Sequence, residues 1–151
     1  MTADLPHLDA ARILEHLVRI ALAFALALPL GWERGAGRGS VGFRTLPVVA
    51  MASCGYGLLA RSLPGADAET LTRLIQGLLA GIGFIGGGAI LKDGGRVQGL
   101  VTAASIWNTG AIGLAVALRR TEIAIVLSAV NFAALRLLSP IPPRPEPDDP
   151  G

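Results

Sequence analysis

Two histidines, His7 and His16, and a single cysteine, Cys54, are the side chains of this 151-residue chain best suited to act as general base or nucleophile. Both histidines lie near the N-terminus, and no GxSxG, HExxH or Walker sequence accompanies them. One thiol excludes an internal disulfide and a cysteine-based metal site. No nucleophile–base pair can be assembled without a terminal histidine, so neither an enzyme nor a cofactor is expected. What remains is electrostatic chemistry. Gly31-Trp32-Glu33-Arg34 and Gly42-Phe43-Arg44-Thr45 bracket a glycine-rich connection, and Lys92, Asp93 and Arg96 flank Gly94-Gly95. A carboxylate at a low-dielectric boundary gains from an arginine partner, so Glu33 with Arg34 and Arg44 is the sharpest candidate, joined by Asp93 and Arg96. Such a cluster offers a docking surface, an ion vestibule or a network coupling helices. Ordinary boundary charge, anchoring spans in lipid headgroups, is the plain alternative and suits Arg38 and Lys92 best.

The elements that hold these residues emerge from the gaps between charges. Apolar residues make up 52% of the chain and charged ones 16%, with a mean hydropathy of +0.57. Disorder is excluded for most of the length. The small net charge of +2, with no basic cluster, argues against nucleic acid as a partner. Uncharged stretches run over residues 20–32, 45–60, 74–91, 97–118 and 123–135. A spanning helix needs about 20 mostly apolar residues, so the third and fourth suffice alone, and the others suffice once Arg19, Arg44, Arg61 and Arg136 snorkel. The expected fold is an all-α polytopic helical membrane protein in the lipid bilayer. It has about five transmembrane helices, near 13–32, 45–61, 74–91, 97–118 and 122–138, in a domain of residues 1–138. The residues before the first apolar run are acidic or mixed, and four more spans follow, so that run reads as an uncleaved helix, not a signal peptide. The proline-rich stretch 139–151 reads as a disordered tail. Charge counting favours a cytoplasmic C-terminus only slightly.

Glycine marks the third span: Gly77, Gly81, Gly83, Gly86, Gly87 and Gly88 form two GxxxG patterns in tandem. Small residues let helix backbones approach closely in lipid, where contact forces hold helices together. The favoured use of these glycines is tight packing within the monomer; the functional alternative is a thin helix at the centre of the bundle, partly unwound at Gly86-Gly87-Gly88. On the fourth span Thr102, Ser105 and Thr109 share a face, with Asn108 near the middle of the stretch. These groups either line a polar cavity or join helices.

The same segments carry a resemblance. Gly31-Trp32-Glu33-Arg34 followed by Val41-Gly42-Phe43-Arg44-Thr45, then residues 81–90 (GIGFIGGGAI), then residues 97–107 (VQGLVTAASIW) with Ala111-Ile112-Gly113-Leu114, resemble in order three blocks of the MgtC/SapB family of bacterial membrane proteins. The resemblance implies a five-span bacterial inner-membrane protein with its N-terminus outside and its C-terminus cytoplasmic. It also implies links to magnesium limitation and, in some pathogens, to survival inside macrophages. Members are often named magnesium transporters, while a regulatory role through other membrane proteins, including ATP synthase, is better supported. Two departures stand out. The family usually has a second acid after the Glu-Arg pair, where this chain has Gly35, and many members carry a soluble C-terminal domain, so a short form with the membrane domain alone is expected.

Mg²⁺ sheds water reluctantly and is usually held by carboxylates. None of the five uncharged stretches contains Asp or Glu, so a dehydrated path through one chain is poorly provided. The expectation is a non-enzymatic regulator of magnesium or ion homeostasis that acts by helix–helix contact with other membrane proteins or with itself. The alternative is an oligomeric Mg²⁺ or other cation transporter or channel, lined by Thr102, Ser105, Asn108 and backbone carbonyls of the third span. Metal-ligating residues are not assigned.

Overall fold

A computed structural model describes residues 9–35, 42–65, 67–93 and 96–138. The tail 139–151, Arg38, His7 and Gly94-Gly95 lie outside the described residues. Among the described residues five helices and one short hairpin follow each other: α1 (Ala10–Gly35), α2 (Thr45–Ser62), α3 (Ala68–Gly88), β1 (Leu91–Asp93), β2 (Arg96–Gln98), α4 (Leu100–Ala117) and α5 (Thr121–Leu137). α1, α3 and α4 are each long and apolar enough to cross a membrane. The fold is all-α but for the hairpin, an antiparallel pair in which Asp93 and Arg96 are register partners.

Local chemistry explains where the helices start and bend. α3 begins six residues before its apolar run because the Asp67 carboxylate accepts from the Thr70 N–H at 2.8 Å, capping a first turn that also carries Glu69. That backbone bond holds the Asp67 carboxyl below the usual carboxylate range. α4 starts at Gly99, whose φ of 86° lies in the left-handed region. A Cβ there would overlap the Ala89 carbonyl, so glycine is required for the hairpin to turn into α4. Pro29 sits inside α1, where it removes one backbone donor. One turn before it, the Ser128 hydroxyl of α5 donates to the Leu26 carbonyl at 2.7 Å, so a neighbouring helix supplies hydrogen bonding beside the proline.

The central helix is α4, which packs against α1, α2, α3 and α5. Its crossing with α2 is close because both helices put glycine there. A Cβ on Gly113 would overlap the Ala50 carbonyl and one on Gly57 would meet the Ala117 methyl, while one on Gly110 would overlap Ile82 of α3, which approaches α4 on another side. Backbones this near gain dispersion contact and Cα–H···O contacts, the cohesion available where lipid tails are as apolar as the side chains. Ala23, Ala27 and Leu30 of α1, Leu46, Ala50 and Cys54 of α2, and Ile106, Ile112 and Val116 of α4 fill the core.

Neither a central place for the third span nor packing of its glycine row within the monomer is what the structure shows. α3 lies at the edge, against α4 and α2 only among its principal neighbours. Its large side chains decide this: Ile82 is buried and Leu71, Ile75, Leu78 and Leu79 are half-buried, while Gly77, Ala80, Gly81, Gly83, Gly87 and Gly88 are exposed. Large aliphatic side chains turned towards the neighbouring helices fill space that glycines leave empty. Nor is α3 unwound at Gly86-Gly87-Gly88, where the helix continues through Gly88 to its C-cap at Ala89.

Candidate functional site

The end of α1 and the start of α2 meet at Gly31, where an added Cβ would come within 3.0 Å of the Phe43 carbonyl and 3.1 Å of that of Gly42. The same approach brings Trp32 and Phe43 edge to face, with centroids 5.9 Å apart at 69°. Both rings are exposed, as suits an aromatic anchor at a membrane boundary. This contact places Glu33, Arg34 and Arg44 at one end of the bundle.

Within that cluster the partner of Glu33 is Arg136 of α5, whose Nη1 lies 3.5 Å from Glu33 Oε2. Neither Arg34 nor Arg44, the partners expected from sequence, makes a salt bridge with it among the described residues. Arg44 is exposed at the N-cap of α2, and Arg34 is half-buried with an Nε that finds no hydrogen-bond partner. The pairing across 103 positions follows from packing, since α5 runs alongside α1 and delivers its last turn to the end of α1. Asp93 and Arg96 lie together on the hairpin through backbone register.

Of the six α3 glycines, only Gly86 would bring a Cβ close to another of the described residues, 3.4 Å from the Ala103 carbonyl. At Gly77, Gly81, Gly83, Gly87 and Gly88 nothing lies within 4 Å of that position. Beside Gly77 and Gly81 an apolar groove of about 640 Å³ runs between α3 and α2. On α4 the hydroxyls of Ser105 and Thr109 are buried and already engaged. Ser105 donates to the Val101 carbonyl at 2.8 Å and Thr109 to that of Ser105 at 2.6 Å. Thr102 is half-buried, and Asn108 has a buried Nδ2 without a hydrogen-bond partner, as does Asn131 of α5.

Sequence reasoning missed a second charged cluster at the opposite end of α1. Glu15 accepts from Arg19 at 2.9 Å and from Arg119 at 3.0 Å, and Arg19 Nη1 donates to the Val116 carbonyl at 3.1 Å. Arg19 thereby places its charge at the C-terminus of α4, where the helix dipole favours a cation. The four-residue spacing of Glu15 and Arg19 is a sequence signal for their pairing, whereas the reach to Arg119 is not. Arg119 takes a left-handed φ of 61°, an uncommon conformation for a residue with a Cβ, in the tight connection between α4 and α5. Among the described residues no three His, Cys, Asp or Glu side chains gather as a metal site.

Comparison with known proteins agrees with this architecture. The chain is 38% identical over 107 residues to Protein SrpB of Synechococcus elongatus, covering 63% of this chain and 59% of that one. It is 34% identical over 122 residues to Protein MgtC of Brucella abortus, covering 81% of this chain and 50% of the relative. A third relative, YhiD of Escherichia coli, whose name proposes a magnesium transporter, is 30% identical over 130 residues, covering 82% of this chain and 60% of that one. The chain thus spans about half the length of the curated relatives it matches. No solved structure matches it. The model of the MgtC family matches residues 20–143, from the middle of α1 past the end of α5, and this multi-pass membrane protein belongs to that family.

Proposed function

We propose that this chain is a non-enzymatic protein of the bacterial inner membrane that regulates magnesium or ion homeostasis by helix–helix contact. All five helices cross the bilayer in this reading, with the N-terminus outside and the C-terminus cytoplasmic. The link to magnesium comes from the family and the names of relatives. The mode of action rests on one observation: α3 carries five exposed glycines at which, among the described residues, nothing lies within 4 Å of an added Cβ. Each glycine weakens a helix by about 1 kcal/mol relative to alanine, a cost without return unless another backbone comes close. Glu33, Arg136, Arg34 and Arg44 supply polar specificity at one end of this bundle.

A transport path through one chain has less support. The Ser105 and Thr109 hydroxyls, which could have lined it, are buried and bonded to their own helix. A cation channel built from several copies is the second reading, and the unpartnered amides of Asn108 and Asn131 favour it, since polar groups of that kind can face a hydrated lumen. Replacing Gly77 and Gly81 together by Leu tests the contact reading in cells grown at limiting magnesium. The variant is expected to insert normally and to lose function. Full function with the outer face of α3 filled would overturn the reading.

A further inference from the structure

Steps of four, three and four keep Ala11, Glu15, Val18 and Leu22 on one stripe of α1. This stripe is one wall of a groove of about 570 Å³, and Val116, Arg119 and Thr121, where α4 turns into α5, are the other. The groove straddles the boundary at which charge stops, since α1 carries none from Ile20 to Trp32. Its mouth holds Glu15, Arg19 and Arg119. Val18, exposed, and Leu22, half-buried, carry it inward over the next two turns of α1 with apolar surface.

Charge at the mouth does not balance. One carboxylate, Glu15, serves two guanidinium groups, Arg19 at 2.9 Å and Arg119 at 3.0 Å, so the lining keeps a net positive charge. Arg19 also answers the C-terminus of α4 through the Val116 carbonyl. Arg119 has no such second partner: its side chain is 61% exposed and, among the described residues, donates only to Glu15. It is held there at a left-handed φ of 61°, a conformation that persists only where the surroundings impose it. The N-terminus of α5 adds to the positive potential, because no side chain caps it and Thr121 of its first turn lines the groove. Arg120 and Glu122 face each other at 4.0 Å and do not line it. A free inorganic anion would leave Val18 and Leu22 bare, and an acyl chain alone would leave Arg119 unanswered. A zwitterionic lipid brings its own cation to the arginine. We propose that this groove binds one anionic phospholipid, with its phosphate at Arg119 and Thr121 and an acyl chain laid along Val18 and Leu22.

The test uses the purified full chain, delipidated in detergent and titrated with dioleoyl phosphatidylglycerol or dioleoyl phosphatidylcholine, with the first bound lipid followed by native mass spectrometry. The wild type is expected to hold phosphatidylglycerol about tenfold more tightly than phosphatidylcholine, a comparison that requires no variant to fold. Arg119→Gln should weaken phosphatidylglycerol binding by about tenfold, the scale of one charge-assisted hydrogen bond, and Arg119→Lys should restore part of the loss. Arg73→Gln, in the exposed ion pair on α3, should change nothing. Val18→Trp fills the groove from an exposed position and should release the lipid with both arginines intact. Equal affinity for the two lipids, or an Arg119→Gln variant that binds like the wild type, overturns the inference. So does unchanged binding in Val18→Trp, which would leave the acyl chain without its wall. Inorganic phosphate that displaces the lipid at matched concentration would also overturn it, by making this a site for a free anion. None of these readouts involves magnesium or the α3 glycines, so the helix-contact reading stands or falls separately.

Discussion

Glu33 has its carboxylate turned to Arg136, and the exposure of that arginine keeps the pair weak as a stabilising contact. A double-mutant cycle on Glu33→Gln and Arg136→Ala, read by thermal unfolding in detergent, should give a coupling of at most about 1 kcal/mol. The functional effect should be larger, with either single variant losing activity at limiting magnesium while still inserting; full activity in both would remove this pair from the account. Glycines at two places should behave oppositely. Gly113→Ala sets a methyl against the Ala50 carbonyl and should destabilise the bundle by about 1–3 kcal/mol, whereas Gly81→Ala meets nothing and should leave stability unchanged or slightly raised. Denaturation of the two variants side by side checks this, and equal losses would contradict the edge position of α3. Both sets of glycines stand in the sequence, but sequence cannot tell which set faces a backbone. That depends on where the aliphatic neighbours go, so the crowded Gly57, Gly110 and Gly113 were less conspicuous than the open row on α3. The partner of Glu33 was equally hidden, since an ion pair across 103 positions leaves no local spacing to read.

Helices were legible where charge is absent. The gaps between charged residues located all five, because a buried or lipid-facing helix tolerates few ionised groups. They located the ends less well. α3 reaches back to Asp67, and residues 96–98, which belong to an uncharged stretch but for Arg96, pair as a strand before Gly99 starts α4. The Asp67 cap gives a pH signature. Its folded-state pKa lies below the unfolded value, so its contribution is present above the unfolded pKa and is lost as pH falls through the folded one. Amide exchange at Thr70 and Leu71 should therefore accelerate in acid beyond the intrinsic trend, while Asp67→Asn, which keeps the cap without the charge, should not show that step. A second test concerns α1, where Ser128→Ala removes the hydroxyl that reaches Leu26 beside Pro29. Measured interhelical bonds of this kind average about 0.6 kcal/mol, and a loss of that order in detergent is expected. No loss would mean that the proline-containing turn of α1 needs no help from α5.

At the scale of the molecule, α4 and α2 lock through glycine, α1 and α5 close around them, and α3 is left with one face turned outward. The two charged clusters tie opposite ends of α1, to α5 through Arg136 and to the end of α4 through Arg19 and Arg119. In the reading proposed above, a bundle so tied at both ends presents a surface, and the bonded hydroxyls of Ser105 and Thr109 offer little to an ion passing through one chain. The most direct measurement is Mg²⁺ flux into proteoliposomes holding the purified, folded chain in defined orientation, beside empty vesicles and a Glu33→Gln variant. The account predicts flux no greater than in empty vesicles for both proteins. Saturable flux in the wild type, reduced by Glu33→Gln, would contradict it and make this chain a transporter.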